Sequence, residues 1–462
     1  MSKYLSSNTY DTLRSGRRRL LRLGAMAPVA LGSGLIGGLT RAAFAQSTAP
    51  DYRALVGVFL FGGNDGNNLL IPLDAAGFAD YQRGRGRLAL DRAALTAINP
   101  INTGGRQFAL HPSMGALSTL FESGQCAAVA NVGPLMQPLT RAQWQSSTAQ
   151  TPPNLFSHSD QQSQWQTGTA DSAIKLGWGG RVADQIASMN GVQNVATAIA
   201  VNGRSSFQQG ATVTPFQVSS SGSFGFDAYE AGATDPLAIG FGEMINLARG
   251  HLFEAAWNET IKRGITTQQV FQQALNTGPA LTTVFPGTGL GDQLRTVARL
   301  IQARASFGVK RQVFFCSIGG FDTHGIDQLA DQAELLGIVS DALAAFYRAT
   351  VELGVANQVT AFTMSDFGRD FPANGSGGSD HGWGSHHLVV GGAVAGRKLY
   401  GTFPTLRVDG PDDTGGGRWI PTTATEQYAA ALGGNFFGLT TTQLADVFPR
   451  LNRFPGGPLP MF

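Results

Sequence analysis

Seven histidines are spread over 462 residues, and three of them, His381, His386 and His387, fall in the eleven-residue stretch "GGSDHGWGSHH" (377–387). A glycine-rich loop gains little from core packing, so imidazoles clustered there point to metal ligation or proton transfer. Residues of matching chemistry stand elsewhere. "GGNDGNN" carries Asp65, "GGFDTHG" carries Asp322 and His324 two residues apart, and "SDFGRD" carries Asp366 and Arg369. Gathered in one place, Asp65, Asp322, His324, Asp366 and His381 would make a shell for one or two divalent ions such as zinc, manganese or magnesium. Arg369 could then hold an anionic oxygen of the substrate. Taken singly each acid is a weak signal, because an Asp after a strand serves equally well as a turn or cap. His111, before a proline, reads as a capping or packing histidine, and His251 as a helix-surface residue. His386 and His387 begin a strand, where side chains alternate faces, so at most one of them can reach the site. His381 follows Asp380 in a glycine-flanked turn that can bend sharply, which makes it the expected ligand of the three.

Several short apolar runs must position these groups: 54–61, 126–133, 195–203, 311–320, 358–366 and 387–392. Most are apolar throughout, as expected of strands covered on both faces. Helical spacing fills 111–124, 291–308 and 327–354, each stopping at glycine. The alternation predicts an α/β fold with a mostly parallel central sheet. Such sheets bind ligands beyond the carboxyl ends of their strands, which is where Asp65, Asp322, His324 and Asp366 fall. Residues 204–290 break the alternation and read as a helical and loop insertion.

The first 45 residues read as an export signal. "GRRRLLRLG" (16–24) places Arg17 and Arg18 as a twin-arginine pair, and "AFA" (43–45) supplies a small-x-small cleavage site. The partner in export would be the twin-arginine translocase, and the mature protein, 46–462, would be periplasmic or secreted. The apolar stretch between is short and broken by Pro28 and glycines, so no stable membrane span is expected. Residues 1–45 hold seven of the 33 Lys/Arg and one of the 31 acids, leaving 26 basic and 30 acidic residues, a net of −4. No basic run remains to suggest nucleic-acid binding. Cys126 and Cys316 sit in apolar strand-like runs and read as buried thiols.

The stretches "VFLFGGNDGNNLLIPL", "LHPSMGALSTLFESG", "FSHSDQQSQWQTG", "GGFDTHGIDQ" and "SDFGRDFPANGSGGSDHGWGSHHLVVGGAVAGRKLYG" resemble, in order, the exported bacterial family called domain of unknown function 1501. That family is grouped with the alkaline phosphatase-like superfamily, which includes phosphatases and sulfatases. The resemblance implies an alkaline phosphatase-like, three-layer fold. It implies that Asp65 resembles a first-strand metal ligand, and that Asp322 and His324 resemble an Asp…His ligand pair, here two residues apart instead of four. Asp366 resembles the acid of an Asp-His pair whose histidine is replaced by Phe367, and His381 resembles the last histidine ligand. Aligning "WQTG" (165–168) places His158 in the nucleophile position, between Ser157 and Ser159, with the two serines also able to cap a helix. Neither a sulfatase C/S-x-P-x-R nor G-x-S-x-G nor H-E-x-x-H is present.

The expectation is an exported metal-dependent hydrolase acting on an anionic small-molecule or polymer ester, phosphate or similar. Ser157, His158 and Arg369 would be catalytic. The alternatives are a non-catalytic periplasmic binding or surface-assembly protein on the same scaffold, and a single-metal enzyme using water with His158 as base.

Overall fold

The structure, a computed structural model, describes residues 51–462 except 172–173, 191–194, 202, 204, 221–233 and 277. The expected signal segment, 1–45, lies outside the described residues. The strands are β1 (Arg53–Leu60), β2 (Leu70–Pro72), β3 (Thr96–Ile98), β4 (Phe108–Leu110), β5 (Cys126–Gly133), β6 (Ala198–Val201), β7 (Phe216–Val218), β8 (Arg311–Ile318), β9 (Val359–Ser365), β10 (Ser385–Gly391), β11 (Leu399–Tyr400) and β12 (Thr423–Ala424). Nine of them form one sheet in the order β11-β5-β10-β9-β1-β8-β6-β7, with β12 also pairing with β5. β2, β4 and β3 make a small antiparallel sheet.

The large sheet is parallel at every pairing except those of β10, which runs antiparallel to both β5 and β9. This direction decides where the histidine loop goes. The carboxyl ends of β1, β8 and β9 share one edge, and the reversed β10 has its amino end there. The segment 366–384 therefore leaves β9 and enters β10 without crossing the sheet.

Ala54 to Leu60 of β1 are all buried, and so are all residues of β5, β9 and β10, which explains apolar runs without alternation. Leu55, Phe59, Val313, Phe315, Phe362 and Met364 share one core cluster with Trp165, Trp178, Val182 and Tyr428. These last four come from helices α3 (His158–Thr167), α4 (Trp178–Ile186) and α9 (Thr425–Ala430). The alternate residues, Val56, Val58, Phe314 and Cys316, are buried as well. Helices α7 (Gly289–Gln302) and α8 (Gln328–Glu352) pack on each other and against β6, β8 and β10. Helix α1 (Ala75–Arg85) joins β2 to β3 within the small sheet, and α2 (Gly115–Glu122) lies between β4 and β5 in sequence. α8 ends where Gly354 takes φ +66, a left-handed stop that glycine adopts without steric cost.

Cys126 and Cys316 are buried free thiols, and burial pushes Cys126 up to about 12. Among the described residues, 234–276 form a smaller compact unit. It contains α5 (Pro236–Asn246) and α6 (Leu252–Asn276), joined through Phe241, Ile245, Ile261 and Ile265. Asp235 caps α5 by accepting from Leu237 N and Ala238 N. Among the described residues no helix is long and apolar enough to cross a membrane.

Candidate metal centre

Helix α3 begins at His158, so its first side chain projects from the helix start. One turn on, Gln162 lies on the same face, and both residues reach Asp366 Oδ2, at 2.7 and 2.8 Å. Asp366 Oδ1 accepts from Gly62 N at 3.2 Å. With its side chain wholly buried and its oxygens accepting these bonds, Asp366 orients His158 from behind. Asp322, on the segment after β8, has a side chain 47% exposed and faces the other ring nitrogen, with Oδ2 at 3.4 Å from His158 Nε2.

The same arrangement recurs at the other two histidines. His381 Nδ1 donates to the Phe156 carbonyl at 2.7 Å, and His324 Nδ1 donates to Asp380 Oδ1 at 2.9 Å. Carboxylates and carbonyls only accept, so each Nδ1 carries a proton, and in the neutral ring each Nε2 is left with a lone pair. These lone pairs converge on Asp322. His324 Nε2 is 2.9 Å and His381 Nε2 3.3 Å from Oδ1, and the two Nε2 atoms stand 3.0 Å apart. Two nitrogen lone pairs and a carboxylate at such separations repel unless a proton or a cation lies among them, and the Arg369 guanidinium meets only His324 Nε2 and Asp322 Oδ1. Ligand atoms of His158, Asp322 and His381 all fall within 4.8 Å of one another, the donor set of a zinc- or manganese-type site. The Phe367 ring lies 4.9 Å from the His158 ring and 4.6 Å from that of His381, forming an apolar wall against both imidazoles.

Burial alone would raise Asp322, but the hydrogen bond and the charge of Arg369 hold it below the usual carboxylate range. Burial, with the Arg369 charge beside it and against the opposing hydrogen bond to Phe156 O, lowers His381 and favours its neutral form. The Asn374 hydrogen bond, together with His324, keeps Asp380 ionised.

Arg369 is placed differently from the expectation. Its guanidinium is buried and donates to Gly62 O, Gly63 O, Phe321 O and Ser379 O, to His324 Nε2 at 3.3 Å, and to Asp322 Oδ1 at 2.5 Å. With its donors spent on the protein, it has none left for a substrate oxygen. Asp65 is not brought to the cluster either. Its fully buried carboxylate pairs with Arg85 of α1 and accepts from Gln328 Nε2 at 3.0 Å. Ser157 caps α3 by position, but its hydroxyl donates to Asp160 Oδ2 at 2.7 Å. His158, aligned with the nucleophile position, belongs to the ligand cluster.

His386 and His387 are buried away from this edge. His386 Nδ1 accepts from Asn131 N, and His387 packs on Trp165 and Tyr428. His111 Nδ1 caps a short turn by accepting from Ser113 N. The orienting acceptors Asp380 and Phe156 O escaped the sequence reading, although Asp380 stands beside His381 in the quoted loop. Nothing at sequence level marks the Phe156 carbonyl.

No curated protein matches the chain. Among solved structures it is similar to the zinc complex of the C-terminal periplasmic domain of EcEptC from Escherichia coli, at 9% identity over 75% of each chain with a TM-score of 0.30. It is similar also to a protein of the alkaline phosphatase superfamily from Vibrio parahaemolyticus, at 11% identity over 76% of this chain and 63% of that one, TM-score 0.28. A third is the PsFucS1 sulfatase from Pseudoalteromonas sp., at 10% identity over 84% and 69%, TM-score 0.32. No residue role is transferred from likenesses this low. The family assignment comes from sequence: a family model matches residues 52–414, and the chain belongs to the family described as "Protein of unknown function (DUF1501)".

Proposed function

We propose that this chain is an exported metal-dependent hydrolase of phosphate or similar esters. One observation carries the reading: three imidazoles, each with Nδ1 committed to an acceptor, turn their Nε2 lone pairs onto the Asp322 carboxylate. His158, Asp322 and His381 would hold the ion, and His324 stands beside them. A divalent ion bound there supplies Lewis-acid polarisation of an ester oxygen and lowers the pKa of water. Asp366 and the Phe156 carbonyl fix His158 and His381 in the ligating tautomer, and Asp380 does the same for His324. Arg369 already places a permanent positive charge against Asp322 and His324, so we assign one ion per chain rather than two. Ser157 stands on the same turn as His158, where its hydroxyl or a water would be the nucleophile.

The test uses purified mature chain, 46–462. Elemental analysis should find about one zinc or manganese per chain, and phosphomonoester, phosphodiester and sulfate-ester panels should reveal turnover that EDTA abolishes. Ser157→Ala separates the nucleophiles: loss of turnover by about a thousandfold assigns the hydroxyl, and retention assigns water. Metal-free protein inert on every ester would sink the reading. It would favour the binding or surface-assembly alternative, which has Phe367 at the centre and the Asp160-bound Ser157 on its side.

A further inference from the structure

With Arg369 spent, a substrate anion needs another cation, and the loop 409–418 provides one. Arg418 is partly buried, and among the described residues its guanidinium has no hydrogen-bond or ion-pair partner; its Nε atom is enclosed yet unpaired. The group lies 4.8 Å over the Phe156 ring. Phe156 is the residue whose carbonyl receives His381 Nδ1–H, and it stands two positions before His158. The stacked guanidinium thus belongs to the same structural unit as two metal ligands.

The backbone beneath it is fixed. The buried Asp413 carboxylate accepts from Asp409 N, Gly415 N, Gly417 N and Arg418 N, at 2.8 to 3.0 Å. A clamped backbone and a ring to stack on hold an arginine in place while leaving its terminal nitrogens without a protein partner, the geometry that suits oxyanion recognition. The charges it acts on are Asp370 and Asp380. Both are engaged already, Asp370 by Asp380 N and Asp380 by Asn374 and His324.

Resting on the hydrolase reading, we propose that Arg418 is the oxyanion subsite of the metal centre, binding a non-bridging oxygen of a phosphoryl or sulfuryl group. The ligand class is a tetrahedral oxyanion that offers one oxygen to the ion and another to the guanidinium.

The experiment titrates manganese-loaded mature chain with inorganic phosphate, and in a second arm with sulfate, by calorimetry. Arg418→Ala should weaken the bound oxyanion about ten- to a hundredfold, with manganese content and melting temperature unchanged. Arg418→Lys should recover part of the loss, and the arm with the tighter binding names the group. Equal affinity in wild type and Arg418→Ala overturns the subsite. So does a manganese-loaded wild type that binds neither anion. A wild type that takes up no metal sinks the hydrolase reading instead. The same comparison on metal-free protein then still decides Arg418, with unchanged affinity counting against it.

Discussion

At the scale of single residues, position behind the ligands should matter as much as ligation. Asp366 is buried and accepts on both oxygens, from His158 and Gln162 on Oδ2 and from Gly62 N on Oδ1, so Asp366→Asn removes the charge and one of the two acceptors while keeping shape. Metal affinity should fall by roughly ten- to a hundredfold, read by calorimetric titration with zinc, and His381→Ala should cost at least as much. His387→Ala should leave affinity unchanged, since that ring lies among Trp165 and Tyr428. Phe367→His tests the count of ions. If Arg369 is what closes the second position, the added imidazole leaves one manganese per chain, whereas two would show that only a ligand was missing. As candidates, Asp322 was legible in the sequence because it follows the glycine-rich exit of a buried strand, and His381 because it stands in a glycine-rich loop leading into one. Asp65 satisfied the same rule, yet its partner is Arg85, on a helix whose polar surface gives no sign of an inward-facing arginine. Arg418 left no trace, because a vacant guanidinium is a property of surroundings that only the fold assembles.

Among the elements, the exit of β1 is the tightest. Gly62 has φ +116, and a Cβ there would lie 2.4 Å from Asp322 N, so only glycine lets this turn pass beside the ligand-bearing segment. Gly62→Ala should destabilise the chain by about 2–4 kcal/mol in urea unfolding, and metal affinity should drop with it because Gly62 N also holds Asp366. β1, β5, β6, β8, β9 and β10 were readable from their unbroken apolar runs, and α2, α7 and α8 from helical spacing; the short strands β2, β3, β4, β7, β11 and β12 gave no such run. What periodicity does not encode is the direction of β10. A run buried on both faces looks the same forwards and backwards, yet the reversal is what returns His381 to the edge shared by Asp322 and Asp366.

The whole molecule carries opposing responses to pH. Burial lowers His386 and His387 to about 3 each, so between about pH 3 and 6.5 the unfolded chain binds more protons and stability falls as the medium is acidified. Burial raises Glu426 to about 7, against the ordinary 4.5. In that window the folded chain holds the extra proton, so this group lowers stability as pH climbs from about 4.5 to 7. Glu426→Gln should therefore stabilise the protein at pH 8 by up to roughly 3 kcal/mol and have little effect near pH 4.5, measured by thermal unfolding at both values. A variant with the same gain at both pH values would show that the carboxyl is not buried in its protonated form. A last consequence follows from the dispersal of the ligands along the chain. His158, Asp322 and His381 come from distant stretches of the polypeptide, and His381 belongs to the loop entering β10. During synthesis the complete coordination set does not exist until the ribosome has passed residue 381. On that reading ion capture would mark a chain synthesised past residue 381, and a product truncated before that point would lack the third proposed ligand however well its first strands have assembled.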